Sequence, residues 1–81
     1  MENIKNTIKA YILEEFLPGE NPDLLTDTTP LITGGILDSL ATLKLIEFLQ
    51  ERYNIRIEPH EASVEYMDTL PDITALAHSK M

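Results

Sequence analysis

Eighty-one residues suffice for one domain whose single core is only just adequate, and no cysteine is present to brace it or to supply a thiol. A hydrophobic fraction of 43% argues against disorder. Fourteen acidic residues against six basic ones give a net charge of -8, which disfavours nucleic acid and anionic membrane as partners and favours basic protein surfaces.

The first predicted element is a helix with an apolar stripe at Ile4, Ile8, Tyr11, Ile12 and Phe16, stopped by Pro18-Gly19. From Gly19 to Asp38 the chain carries Pro22, Pro30 and Gly34-Gly35 without strand-like alternation. It reads as a long ordered loop anchored by Leu24, Leu25, Leu31 and Ile32. A second helix is expected from Asp38-Ser39 to Tyr53, with Asn54 as its stop. Leu45, Ile46, Phe48, Leu49 and Tyr53 form its broad apolar arc, and Lys44, Glu47 and Glu51 its solvated face. Leu40 falls in the middle of that charged face, either as an ordinary exposed apolar side chain or as a partner contact. A short third helix is expected after Pro59, over His60 to Glu65. A last helix starts near Thr69, with Pro71 in its first turn and Leu70, Ile73, Leu76 and Ala77 buried. The expected fold is an all-α four-helix bundle: three main helices, a short third helix and a long loop between the first two. No repeat or linker divides it, so residues 1–81 are read as one domain. No run reaches the length of a membrane span and the first residues lack a signal-peptide stretch, so a cytoplasmic monomer is the expectation.

The segment Gly35-Ile36-Leu37-Asp38-Ser39-Leu40 sits at the junction of long loop and second helix. Asp38 suits the N-cap, which puts Ser39 in the first turn, where unpaired N–H groups and the helix dipole favour an anion. A phosphodiester on the Ser39 hydroxyl would meet a favourable field. Read by itself, Asp-Ser is better explained as a plain helix cap. A hydrolase nucleophile fits poorly, because the Gly-x-Ser-x-Gly elbow is absent and only His60 and His78 are available as bases. The acidic residues lack the spacing of a calcium loop, and no metal ligand set is expected.

The stretch from Thr29-Pro30-Leu31 through Leu40, followed by the helix to Tyr53, resembles the acyl and peptidyl carrier protein family. Length, acidity and helix order agree with the resemblance across nearly the whole chain. It implies a covalent 4'-phosphopantetheine arm on Ser39, with Asp38 and Leu40 helping to present that serine. The cargo, an acyl or aminoacyl thioester, would be carried on the arm in a biosynthetic role. The chain itself would be no enzyme but the substrate of a phosphopantetheinyl transferase. It would be loaded by an adenylate-forming acyl or aminoacyl ligase and unloaded by a downstream acyltransferase or synthase. Ile36-Leu37 before Asp38-Ser39 looks more like stand-alone aminoacyl or D-alanyl carriers than the Gly-Ala-Asp-Ser-Leu of fatty acid carriers. Lys44 also stands where fatty acid carriers tend to be acidic. Partners would then read Leu40 together with the acidic Glu58, Glu61 and Glu65. The third-helix region borders the arm in this family, so Thr42, Ile46, Ile57, Ala62, Val64 and Tyr66 are candidate contacts for the arm or its acyl group. The competing expectation is an unmodified acidic interaction module with the same fold.

Overall fold

In the computed structural model, which describes residues 3–81, the first apolar stripe forms helix α1, Ile4–Phe16. Asn3 caps it by accepting the Asn6 N–H at 3.1 Å, and Ile8 and Ile12 are fully buried. Beyond Pro18 the chain reverses at Gly19, whose φ of +83° would strain any side chain.

The loop that follows contains one short 3-10 helix, Pro22–Leu24, and no strand is present among the described residues. Leu25 and Leu31 are fully buried and Ile32 is half-buried, as expected. Leu24 is not an anchor: it is 59% exposed. The tight turn sends it and Leu25 in different directions, and only Leu25 reaches the core. Leu37, buried, is the anchor the sequence did not disclose.

Helix α2 spans Ser39–Tyr53 and ends where Asn54 adopts a left-handed conformation at φ +53°. Ala41, Thr42, Leu45 and Leu49 are its buried positions. The expected third helix is displaced and divided. Pro59–Glu61 form a 3-10 helix, and one α-turn, α3, follows at Val64–Met67. Pro59 fits the start of the first piece, and the extended Ser63 separates the two. Helix α4, Leu70–Ser79, begins as expected: Thr69 accepts the Asp72 N–H, Pro71 lies in the first turn, and Leu70, Ile73, Leu76 and Ala77 are buried.

The result is an all-α four-helix bundle in which α4 packs on α1 and α3, and α1 on α2. Tyr11 and Phe48 stack between α1 and α2 with ring centroids 4.1 Å apart, and the Tyr11 hydroxyl donates to the Lys44 carbonyl at 3.3 Å. Burial, with smaller contributions from Glu15 and Glu47, pushes that hydroxyl above the usual phenol range.

Two carboxylates fasten the part of the chain around α3. Glu61 accepts the Lys80 ammonium and the Glu58 N–H, both at 2.8 Å, and Asp68 accepts the Ile32 and Thr33 N–H groups, both at 2.9 Å. The Lys80 hydrogen bond, then the Glu58 N–H, holds Glu61 below the usual carboxylate range. For Asp68 the Thr33 N–H is the main cause, followed by the Thr33 hydroxyl and the Ile32 N–H. A carboxyl whose folded pKa is depressed stabilises the fold fully above its unfolded value and loses that contribution as pH falls through the folded one. Stability is therefore expected to decline as pH drops below the ordinary values of 4.5 and 3.8. Thermal melts between pH 7 and pH 3 test this. The Glu61→Gln, Asp68→Asn double variant melts lower at pH 7 and has the shallower acid limb, and parallel limbs would count against both contacts.

Candidate functional site

Ser39 is the first residue of α2, and its placement is local in origin. Asp38 Oδ1 accepts the Ala41 N–H at 2.8 Å and the Asp38 carbonyl accepts the Thr42 N–H at 2.9 Å, which starts the helix at Ser39. The side chain of Ser39 is exposed, and among the described residues its hydroxyl makes no hydrogen bond. It stands at the positive end of a 15-residue helix with open N–H groups around it. The chain arrives through a turn in which Gly35, at φ +84°, donates to the Ile32 carbonyl at 3.1 Å, and Leu37 donates to the Leu31 carbonyl at 2.8 Å. The turn needs Gly34 as well, because a Cβ there would collide with the Pro30 carbonyl.

Beside Ser39 a groove of about 550 Å³ runs between α2 and the segment leading into α3. Thr42, Leu43 and Ile46 form one wall, Ala62, Ser63 and Val64 the other, and Ile32 and Leu37 close the loop side. Of the six expected contacts, Thr42, Ile46, Ala62 and Val64 come together here with Ser39. Ile57 and Tyr66 do not line it. Ile57 is buried in the core, its N–H held by Gln50 Oε1 at 3.1 Å, and Tyr66 meets His60 edge-on at 6.4 Å. Leu43, 52% exposed, is the wall residue that sequence reasoning missed. Its spacing of three from Leu40 was the available signal, since such pairs share a helix face.

A smaller hollow, about 290 Å³, lies beside the neighbouring Leu40, formed by Phe16, Ile36, Leu40 and Ala41 and flanked by Glu15 and Lys44. Leu40 is 62% exposed there, and Asp38 borders both this hollow and the groove. The three acidic residues expected to meet partners differ in freedom. Glu58 pairs with Arg56 at 3.3 Å, Glu61 is buried against Lys80, and Glu65 is exposed and makes no ion pair among the described residues. The Glu61 carboxylate is committed to the fold through Lys80 and the Glu58 N–H. Another hollow, about 670 Å³, lies between α1 and the loop, where Lys5 and Asp27 pair at 3.0 Å far from this chemistry.

Neither histidine is hydrogen-bonded to Ser39 among the described residues: His60 packs on Tyr66, and His78 borders a hollow with Pro71 and Thr74. No group of three or more His, Asp or Glu side chains is arranged for a metal among the described residues. None of the described helices is long and apolar enough to cross a membrane. Compared with known protein families, curated proteins and solved structures, the chain matches none.

Proposed function

We propose that the protein is a carrier that bears a 4'-phosphopantetheine arm on Ser39. It would shuttle an acyl or aminoacyl group between an adenylate-forming ligase and a downstream acyltransferase or synthase, in the cytoplasm. One observation carries the reading: an exposed serine hydroxyl without a partner among the described residues, at the start of a capped helix, opens onto an apolar groove. The residues fit the group. Ser39 offers the oxygen for attachment, the N-terminus of α2 suits a phosphodiester, and Leu43, Ile46, Ala62 and Val64 offer an apolar surface alongside. When bound, the arm supplies the thiol that this cysteine-free chain lacks, and the cargo is held there as a thioester.

In the attachment step a bond forms between Ser39 Oγ and the phosphorus next to the pantetheine of coenzyme A. The pyrophosphate P–O bond breaks, 3',5'-ADP leaves, and the hydroxyl proton passes to the phosphopantetheinyl transferase. Asp38 holds the helix start in place during this exchange, and Leu40 offers an apolar anchor at 62% exposure. Glu65 supplies free negative charge for basic partner surfaces, with charge-steered and short-lived contacts suiting a shuttle. The Ile36-Leu37 variant of the motif favours an amino acid or another ligase-activated acid over a fatty acyl chain.

The test is intact mass before and after incubation with coenzyme A and a broad-specificity phosphopantetheinyl transferase. The expected result is a gain of one phosphopantetheinyl group, absent in Ser39→Ala. An unchanged mass, from folded protein and active transferase, would instead favour an unmodified interaction module docking through Leu40 and the acidic third-helix region.

A further inference from the structure

Asp68 directs both its main-chain and its side-chain acceptors at the loop that precedes Ser39. Its carbonyl accepts the Leu31 N–H at 2.6 Å. Its Oδ1 accepts the N–H groups of Ile32 and Thr33, each at 2.9 Å, and the Thr33 hydroxyl lies 3.2 Å from Oδ1 and 3.0 Å from Oδ2. The loop then folds back on itself through the Gly35–Ile32 and Leu37–Leu31 backbone bonds, buries Leu37, and passes directly into the cap, Asp38. Asp68 also terminates α3, the helix that begins at the groove residue Val64. One side chain thus links the loop side of the groove, at Ile32, to the side formed by Ala62 and Val64.

We propose that Asp68 is a positioning residue for Ser39, clamping the loop onto the end of α3 and thereby fixing how the chain enters α2. Its predicted effect on modification rests on the carrier reading; the clamp itself does not. A carboxylate suits the task because two oxygens accept from two successive N–H groups and a hydroxyl at once. Asparagine retains one oxygen for the two N–H groups, whereas alanine retains none, so the clamp predicts a graded series of variants.

The experiment is amide hydrogen exchange by NMR on the full chain, comparing wild type with Asp68→Ala, Asp68→Asn and Thr33→Val. In Asp68→Ala, exchange at Ile32 and Thr33 is expected to accelerate on the order of tenfold or more. The acceleration is expected to extend to Leu37 and to Ala41, whose N–H is held by Asp38, and to exceed that at the fully buried Ile8 and Ile12 in α1, which reports only the loss of global stability. Asp68→Asn and Thr33→Val lie between Asp68→Ala and wild type, and they keep the test open if Asp68→Ala fails to fold. Acceleration confined to Ile32 and Thr33 overturns the proposal, since Asp68 would then hold the loop without reaching the cap. Phosphopantetheinyl transfer gives the second readout. In Asp68→Ala, kcat is expected to fall about tenfold with KM changed less than about twofold, and Asp68→Asn to recover most of the rate. A loss confined to KM, or no loss, also overturns the positioning role. If wild type is never modified while exchange still spreads to Leu37 and Ala41, the clamp stands and the carrier reading falls.

Discussion

Leu45→Ala is expected to cost about 2–5 kcal/mol of unfolding free energy, whereas Leu40→Ala, on the same helix, is expected to change it by less than about 0.5 kcal/mol. Leu45 is fully buried, so truncation removes its apolar contacts and leaves a cavity that neighbours fill only in part. Leu40 is 62% exposed and has little burial to lose. A chain of 81 residues has a total stability of about 4–12 kcal/mol, so the Leu45 change removes a large fraction of it. Urea unfolding followed by circular dichroism measures both variants. The midpoint should drop sharply for the first and stay for the second. Equal midpoint shifts would mean that α2 does not bury the face described above.

Gly34→Ala is expected to be the most damaging glycine substitution, destabilising by about 1–3 kcal/mol or more. The added Cβ meets the Pro30 carbonyl and also crowds the Pro30 ring, and a backbone oxygen inside a hydrogen-bonded loop has nowhere to go. Alanine at Gly19 or Gly35 meets no atom within 4 Å, and only the positive φ opposes it, at about 1–2 kcal/mol. On the carrier reading, Gly34→Ala should also slow phosphopantetheinyl transfer to Ser39, because the same loop delivers Leu37 and Asp38 to the helix start. Unfolding midpoints of the three alanine variants test the order. A Gly34 variant as stable as that of Gly19 would show that the Pro30 contact yields easily.

The three long helices were legible because each is bounded by a local signal and carries an apolar repeat long enough to count. Asp38 and Thr69 cap helices with their own side chains, Asn54 stops one in the left-handed region, and Pro18-Gly19 ends another. The region from Pro59 to Met67 was not legible at the same level, since a 3-10 turn and a single α-turn are too short to show a period. Its geometry also depends on Lys80, near the far end of the chain, reaching Glu61. Leu24 and Leu25 illustrate the same limit: their types are identical, and only the turn decides that one is exposed and the other buried. At the candidate site, Ser39 and its cap were visible because the helix start is encoded within a few residues. The contacts between Asp68 and Thr33 join residues 35 positions apart, and no local pattern announces them.

The two long sides of the groove are built to very different standards of rigidity. On one side stands α2, with 15 residues and four buried positions. On the other, α3 has four residues, of which only Met67 is buried, and a single turn has almost no helical cooperativity of its own. Any widening of the groove would therefore be asymmetric: Val64, between the anchors at Glu61 and Asp68, would yield, while those anchors and Thr42 and Ile46 stay fixed. Objects of different girth could be admitted beside Ser39 without disturbing the helix that holds it, so the serine keeps a constant address whatever lies next to it.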